Sequence, residues 1–313
     1  MQNQSHTVEN SIPLIVLVGP TGIGKSDLSL KLSNYLNIEL INVDSRQVYK
    51  GMEIGTASPT SDDKKKVPHH GYQILEPDQT YNLSDFLKTT KTYIYEIIDR
   101  KNIPLLVGGT GQYIWALLDG WIVPNIPPDI IFREESEALV NREGPLKLLS
   151  DLDKIDPITA STIDRNNIRR VIRALEIYHS TGIPMSELKK REPTPYEPTI
   201  IGITSDDRES LYSTIDNRVG KMIDNGWLSE TNDLIDKGYK FNLPSFSSMG
   251  YKELHGVLNN EIELTDAILK IQKLHHKLAR RQYTWFKVSD SRISWINKNN
   301  NELNKALDII KTM

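Results

Sequence analysis

Gly19-Pro20-Thr21-Gly22-Ile23-Gly24-Lys25-Ser26 is the stretch of sequence that decides the fold, because it matches the pattern G-x-x-x-x-G-K-[ST]. It follows the apolar run Leu14–Val18, which predicts a buried strand, and precedes apolar residues at helical spacing from Leu28 to Leu36. Glycines let such a loop turn tightly, so that successive N–H groups converge on an anion at the start of the next helix. Lys25 adds a positive charge and Ser26 a hydroxyl that can bind Mg²⁺. The order of strand, loop and helix predicts a site for a diphosphate or a triphosphate.

The composition of the chain limits the classes of protein to which it can belong. Its 313 residues suffice for one large α/β domain and a smaller one, and its net charge of -3 leaves room only for local basic patches. It contains no cysteine, which excludes disulfides, thiolate zinc sites and cysteine nucleophiles. No apolar run approaches the roughly 20 residues of a membrane span. Because the polar first residues also lack a signal-peptide pattern, we expect a cytoplasmic protein with no membrane association.

Two further apolar runs predict strands that end at possible ligand-binding turns. Glu39–Asp44 ends on a carboxylate, and Ile103–Val107 leads into the glycine-rich turn Gly108-Gly109-Thr110-Gly111. Because ligands bind beyond the carboxyl ends of parallel strands, we expect Asp44 and Thr110 to face the phosphate loop. The sequence therefore predicts the α/β class, with a P-loop NTPase-like parallel sheet flanked by helices.

Three roles are open to Asp44 on the sequence pattern alone. Its carboxylate can cap the turn formed by Ser45–Tyr49, bind a Mg²⁺ ion, or act as a catalytic base. The segment from Thr56 to Pro77 is interrupted by prolines and charges, so we expect it to be a surface excursion. The pair His69-His70 within it is a poor metal site, because adjacent side chains in extended chain point apart.

A change of composition after Trp121 predicts a second domain. Prolines mark its start and end, and the residues between them have a helical pattern without a strand signal. We therefore expect an α/β core at 12–124 and 198–313 and an all-helical insertion at 125–197. Within the insertion, Arg169 and Arg173 lie one helical turn apart. They form either a basic stripe that follows a phosphate backbone or an ordinary solvated helix face.

The last third of the chain carries further candidate site residues. Arg218 lies on a predicted helix, and Ser245–Tyr251 is a loop of small residues before another helix. A long predicted helix from Thr265 to Phe286 has basic residues beside aromatic ones. This combination is typical of a nucleic-acid surface, although core aromatics beneath a charged face give the same pattern.

Several segments that follow the phosphate loop in order resemble one family. They are Val43 to Met52, Gly55-Thr56-Ala57, Val67-Pro68-His69-His70, Leu106 to Thr110, Arg173-Ala174-Leu175-Glu176, Gly250-Tyr251 and Arg281-Gln282-Tyr283-Thr284-Trp285. From about Leu14 to Trp285 the chain is similar to the tRNA dimethylallyltransferases, the IPP transferase family. These isopentenyltransferases modify the adenosine 3′ of the anticodon. Without cysteine, the chain resembles the bacterial form, which lacks a zinc finger.

This resemblance implies a substrate, a metal and roles for named residues. Residues Gly19 to Ser26 would hold dimethylallyl diphosphate rather than ATP, with Mg²⁺ on the diphosphate beside Ser26. Asp44 would be the general base, Thr110 would contact the diphosphate bridge, and Lys25 and Arg218 would neutralise the leaving group. The partner would be the anticodon stem-loop of tRNA, bound by a monomer. The implied tRNA contacts are Asp44, Ser45, Arg46, Gln47, Thr110, Arg133, Arg169, Arg170, Val171, Ile172, Arg173, Phe246, Ser247, Ser248, Met249, Gly250, Tyr251 and Arg281.

The chain departs from the family pattern at Thr214, which stands where the family commonly has a second arginine one turn before Arg218. Two other activities fit the phosphate loop. One is a small-molecule kinase that uses ATP, which would leave the basic helix near Trp285 without a task. The other is an adenylate isopentenyltransferase acting on a free nucleotide, which would need no arginine track for a phosphate backbone.

Overall fold

The computed structural model of the protein describes residues 11–124, 126–298 and 301–312. The polar amino-terminal segment 1–10, on which the localisation expectation partly rests, lies outside the described residues. Residue 125, the first residue of the predicted insertion, does so as well.

Within the described residues, the strands form one sheet of six and one pair. They are β1 (Ile12–Val18), β2 (Ile38–Val43), β3 (His69–His70), β4 (Ile103–Gly108), β5 (Trp121–Ile122), β6 (Lys190–Arg191), β7 (Tyr196–Thr204) and β8 (Ile293–Asn297). The larger sheet has the order β3-β2-β4-β1-β7-β8, and all its neighbouring strands are parallel.

Helices connect these strands, as parallel crossovers require. They are α1 (Lys25–Leu32), α2 (Glu53–Thr56), α3 (Ser61–Lys66), α4 (Leu83–Asp99), α5 (Gly111–Leu118), α6 (Ile130–Glu143), α7 (Leu146–Ile155), α8 (Pro157–Thr162), α9 (Ile168–Thr181), α10 (Met185–Leu188), α11 (Arg208–Asp224), α12 (Trp227–Asp236), α13 (Tyr251–Leu258), α14 (Leu264–Trp285) and α15 (Glu302–Ile310), with a 3₁₀ turn at Pro244–Ser247. In the part of the chain that the structure describes, no helix is both long and apolar enough to cross a membrane.

The register of the inner strands brings the predicted ligand-binding turns to one edge of the sheet. Leu17 on β1 pairs with Val107 on β4, and Val43 at the end of β2 pairs with Gly108. The strands therefore end together, and the residues that follow them emerge side by side. Strand β1 is fully buried from Leu14 to Val18, as expected for a parallel strand covered on both faces.

Helix α4 illustrates how local sequence fixes an element. Asn82 accepts hydrogen bonds from the N–H groups of Ser84 and Asp85, and Asp85 accepts one in return from the Asn82 N–H. This capping box starts the helix. Apolar residues at helical spacing, among them Phe86 and Ile94, then bury one face of α4 in the protein.

One sequence prediction about local structure is wrong, and another was incomplete. Helix α1 ends at Leu32 rather than Leu36, because the next residues form tight turns, and Tyr35 is 63% exposed instead of lying on an apolar face. The predicted surface excursion contains strand β3, in which His69 pairs with Leu40 on β2. A short polar strand at a sheet edge has no apolar run that sequence periodicity could detect.

The chain divides into two compact units. The helical unit spans Asp119–Thr194, and the α/β unit comprises Met1–Leu118 and Pro195–Met313. Strand β5 precedes the helices of this unit and β6 follows them, and the two strands pair antiparallel. The residues just before and just after the helices therefore belong to the same unit. The divisions therefore fall after 118 and 194, whereas the sequence pattern placed them after 124 and 197.

Candidate active site

The phosphate loop joins β1 to α1 with three glycines in the left-handed region. Gly19, Gly22 and Gly24 have φ values of 141°, 78° and 105°. A Cβ on Gly19 would lie 2.5 Å from the carbonyl oxygen of Ile203 on β7, so this position has no room for a side chain. Among the described residues, no side chain caps the amino terminus of α1. Its first N–H groups are therefore donors that suit an anion.

Lys25 and Arg218 supply positive charge beside this loop. The Lys25 ammonium donates to the carbonyls of Gly19 and Pro20, at 2.9 Å each, and Arg218 donates to Thr21 Oγ1 at 3.1 Å. Burial and the charge of Arg218 lower the pKa of Lys25 to about 7, and the charge of Asp44 offsets part of this shift. Within the described ranges, neither cation forms an ion pair with a carboxylate. The two cations therefore lack the counter-charge that a diphosphate would bring.

Asp44 lies at the end of β2 and is held by its neighbours. Its N–H donates to Asn42 Oδ1 at 2.8 Å, and the buried Asn42 amide donates back to the Asp44 carbonyl. Asp44 Oδ1 accepts from the N–H of Arg46 at 2.8 Å, which is the capping role. Asp44 Oδ2 makes no hydrogen bond to any residue in the described part of the chain. The cap and a chemical role are thus compatible, because each uses a different oxygen.

The second glycine loop lies next to Asp44. The Thr110 N–H donates to the Val43 carbonyl at 3.2 Å, and a Cβ on Gly108 would overlap the same carbonyl group. Gln282 of α14 connects this loop to the phosphate loop: its Oε1 accepts from the Thr21 N–H, and its Nε2 donates to the Gly109 carbonyl. Sequence reasoning included Gln282 in a family motif without giving it a role.

The predicted tRNA contacts near Asp44 divide into exposed and internal groups. Arg46 donates to the Pro244 carbonyl at 3.0 Å, which brings its turn next to the segment 245–251. Gln47 donates to the carbonyls of Thr56 and Ala57. Side chains or backbone positions buried inside the unit are Phe246, Ser248, Gly250 and Tyr251, whereas Ser45, Ser247 and Met249 retain exposed surface. The buried residues therefore pack beneath the exposed ones and present little surface of their own.

Glu230 is a buried residue that sequence reasoning missed. Its carboxylate accepts from the N–H groups of Ile54 and Gly55, at 2.7 and 2.9 Å, and from the Tyr251 hydroxyl at 2.8 Å. It therefore holds α2, whose end receives the Gln47 side chain. Burial raises the pKa of Glu230, although these hydrogen bonds oppose the rise. No local sequence signal links residues so far apart in the chain.

The helical unit neutralises two of the predicted RNA-binding arginines. Arg133 forms two hydrogen bonds to Glu176, at 2.7 and 2.8 Å, and Arg173 forms one at 2.5 Å. Glu176 is 0% exposed. Burial alone would raise the pKa of Glu176, but the hydrogen bonds from these arginines lower it overall. Val171 and Ile172 are buried on α9.

Each of the two units also contains exposed cations among the predicted RNA-binding residues. On α9, Arg169 and Arg170 face solvent, so the exposed basic pair of this helix consists of adjacent residues rather than of Arg169 and Arg173. On α14, Arg281 is exposed and Trp285 is 36% exposed, whereas Phe286 is buried. Phe286 is thus a core aromatic residue, whereas Arg281 and Trp285 lie at the surface.

Other residues complete the surroundings of the phosphate loop. Thr214 donates to the Ser210 carbonyl within α11 and adds no charge next to Arg218. His275 of α14 is buried, and burial together with Arg218 lowers its pKa to about 4. The Lys298 ammonium lies 3.6 Å from the position that a Cβ on Gly24 would take. Lys298 is a cation near the loop that sequence reasoning did not identify.

A parallel sheet with a glycine loop after an inner strand, and cations at the start of the next helix, defines a protein of the P-loop α/β class. The model of the IPP transferase family matches residues 47–289, and the chain belongs to this family. The resemblance predicted from the motifs is confirmed, and membership supports prenyl transfer over the kinase alternative. The fold-class prediction is confirmed as well.

Named relatives and solved structures agree with this assignment. The chain is 41% identical to a tRNA dimethylallyltransferase of Dehalococcoides mccartyi over 284 residues, 91% of this chain and 87% of that protein. It is 43% identical to one of a Roseiflexus species over 276 residues, 88% and 90% of the two chains. The full-length tRNA isopentenylpyrophosphate transferase of Bacillus halodurans gives a TM-score of 0.71 at 36% identity, covering 96% of both chains. A eukaryotic dimethylallyltransferase acting on tRNA gives 0.80 at 26% identity, covering 96% of this chain and 80% of the other.

Proposed function

We propose that the protein transfers a dimethylallyl group from dimethylallyl diphosphate to the exocyclic N6 amine of the adenosine 3′ of the anticodon in tRNA, releasing diphosphate. The observation that carries this proposal is the arrangement of charges. Lys25 and Arg218 lie beside the phosphate loop without a carboxylate partner among the described residues, and Asp44 has one oxygen without a hydrogen bond. A cationic site for an anionic leaving group thus lies near Asp44, a carboxylate that can accept a proton.

The cationic site would act by stabilising the departing diphosphate. When the bond between the allylic carbon and oxygen breaks, negative charge grows on the oxygen, and preorganised donors lower the energy of that state. The N–H groups at the start of α1, Lys25 and Arg218 would supply these donors. The Thr110 hydroxyl would meet the oxygen that bridges the diphosphate.

The surroundings of Ser26 fit a magnesium ion. Ser26 lies in the first turn of α1 with an exposed side chain, and Asp27 follows it. Hydroxyl, carboxylate and phosphate oxygens are the hard ligands that Mg²⁺ prefers. Bound Mg²⁺ would neutralise part of the charge of the diphosphate.

Asp44 would prepare the nucleophile. The adenine amine is weakly nucleophilic because its lone pair is shared with the ring. As the bond from nitrogen to the allylic carbon forms, the amine must lose a proton, and Asp44 Oδ2 would accept it. A positioned base of this kind is typically worth about 10²- to 10⁴-fold in rate. The proton would pass to solvent after diphosphate leaves.

The tRNA would be bound through its phosphates and through an extruded base. Arg169, Arg170 and Arg281 are exposed cations that can contact a backbone. Extrusion of the target base costs least in a single-stranded loop, such as the anticodon loop. We further propose that the protein acts as a monomer, and that it acts in the cytoplasm because tRNA is an intracellular substrate.

The test is to incubate the purified protein with dimethylallyl diphosphate, Mg²⁺ and unmodified tRNA, and to look for prenylated adenosine by mass spectrometry. We expect prenylated adenosine, and a loss of about 10²- to 10⁴-fold in turnover for Asp44→Asn with tRNA binding retained. The matched control is Asp78→Asn, at an exposed aspartate. Phosphate transfer from ATP without prenylation would favour the kinase, and prenylation of free AMP but not tRNA would favour the adenylate enzyme.

A further inference from the structure

We infer that Gln282 is a positioning residue that sets the distance between the phosphate loop and the second glycine loop, and hence between the diphosphate and Thr110. This inference rests on the proposed function. The side chain is only 6% exposed, and it touches both loops with opposite ends of its carboxamide. Its Oε1 accepts from the Thr21 N–H at 2.7 Å, and its Nε2 donates to the Gly109 carbonyl at 3.2 Å.

The packing of α14 on the second glycine loop leaves no space for adjustment. A Cβ on Gly109 would overlap Gln282 Nε2, and a Cβ on Gly111 would overlap the Trp285 side chain. The Trp115 indole of α5 also donates to the Trp285 carbonyl at 3.1 Å. The loop is thus fixed against α14 on both sides of Thr110, and Gln282 is the polar member of this contact.

In the phosphate loop, Thr21 is held by two side chains. Its N–H is bound by Gln282, and its hydroxyl accepts from Arg218 at 3.1 Å. Because Gln282 already satisfies the Thr21 N–H, the diphosphate is left with the donors nearer to α1. Gln282 and Arg218 together determine where the loop stands relative to Thr110.

The chemistry makes this distance important. Diphosphate is stabilised as it leaves only if donors from both loops meet it at once, and a displacement of about 1 Å can cost on the order of 10²-fold in rate. A carboxamide suits the task because it presents one acceptor and one donor. A glutamate would place a second acceptor against the Gly109 carbonyl, and a methionine would fill the volume with neither group.

The test compares Gln282→Met and Gln282→Glu with the wild type, with Gln272→Met on the same helix as the matched control. For each variant we would measure kcat per folded molecule, KM for dimethylallyl diphosphate and for tRNA, and Tm. We expect kcat to fall about 10- to 100-fold in both Gln282 variants, with KM for tRNA changed less than about threefold. Gln272→Met should behave as the wild type.

Acidification supplies a readout that a purely structural role would not give. In the Gln282→Glu variant, protonation of the introduced carboxyl group restores a donor for the Gly109 carbonyl. The kcat of this variant relative to the wild type should therefore rise as the pH falls from about 8 to 6. The ratio for Gln282→Met should stay constant.

Two results would overturn the inference. If kcat per folded molecule is unchanged in both Gln282 variants and only Tm falls, Gln282 is structural and the positioning role is wrong, although the proposed function stands. If the wild type itself transfers no dimethylallyl group, the proposed function fails and this inference fails with it.

Discussion

Two pairs of cations, Arg133 with Arg173 and Lys25 with Arg218, have opposite electrostatic surroundings. In the helical unit, Arg133 and Arg173 both bind the buried carboxylate of Glu176, which also accepts from the Asp129 N–H. In the α/β unit, Arg218 lies close enough to Lys25 to contribute, after burial, to the lowered pKa of that lysine. No carboxylate forms an ion pair with either of these two cations within the described residues.

The difference separates charge that builds the fold from charge that awaits a ligand. The arginines on Glu176 satisfy a buried carboxylate and so stabilise the helical unit. The cations at the phosphate loop repel each other and destabilise the free protein slightly, which is the cost of a site prepared for an anion. Substitutions at the phosphate loop should therefore change mainly turnover, and substitutions around Glu176 should change mainly stability.

The largest expected effect is on catalysis at Arg218. Arg218→Met should lower kcat about 10²- to 10³-fold, because it removes one donor to the departing diphosphate. The free energy of unfolding should stay equal or rise, since repulsion with Lys25 is relieved. Turnover and urea denaturation would be measured in parallel, with Arg208→Met on the same helix as control. A loss of stability that accounts for the lost activity would contradict this assignment.

The next effect is on stability at Glu176. Glu176→Gln should destabilise the helical unit by about 3 kcal/mol, because two arginines lose their shared carboxylate. Hydrogen exchange across residues 130–190, read by mass spectrometry, would measure the change in the helical unit separately. Glu137→Gln, at an exposed position of α6, serves as the control. Equal protection in the two variants would show that the cluster does not stabilise the unit.

A smaller effect concerns the pH dependence of diphosphate binding. The free Lys25 ammonium has a pKa of about 7, so above this pH the side chain is mostly neutral and must take up a proton when the anion binds. Affinity for dimethylallyl diphosphate should therefore fall by up to about tenfold per pH unit between about pH 7.5 and 9. Calorimetry in two buffers of different ionisation enthalpy measures the proton uptake.

The control for this prediction is Lys25→Arg, which keeps its charge over the whole range and should bind without proton uptake. Binding to the wild type that is independent of pH between about 7.5 and 9 would mean that Lys25 is already charged in the free protein.

The smallest effect is expected at the exposed arginines of α9. Arg170→Gln should reduce the salt dependence of tRNA binding by roughly one unit of log K against log salt, as for one lost phosphate contact. Arg142→Gln, at an arginine already paired with Glu143, is the control in the same unit. Binding would be measured at several salt concentrations. Identical slopes for the two variants would remove α9 from the RNA surface.

The sequence was sufficient for the inner strands of the sheet and for the loops that follow them. The runs at Leu14–Val18 and Ile103–Val107 both lie within strands, because a parallel strand buried on both faces is continuously apolar. Parallel topology then places Asp44 and Thr110 at the same edge as the loop. These placements need only local patterns and one general rule of sheet architecture.

The sequence was not sufficient where a residue acts through a distant partner. Glu176, Glu230 and Gln282 are polar residues on helices, and nothing local distinguishes them from solvated side chains. The role of each is visible only once its hydrogen-bond partner is known. Glu176 accepts from Arg133, Glu230 from the Ile54 N–H and Gln282 from the Thr21 N–H. For the same reason Tyr251 was expected to contact tRNA, although it is buried and its hydroxyl donates to Glu230.

The position of β1 within the sheet has a consequence for protein synthesis. Strand β1 pairs with β4 on one side and with β7 on the other, and the whole helical unit is translated before β7. At about 5–20 residues per second, one edge of β1 waits on the order of ten seconds or more for its second neighbour. An unpaired apolar edge is a template for incorrect strand pairing. The nascent chain therefore carries its phosphate loop on an open edge, and the loop is secured only after Gln282 has left the ribosome.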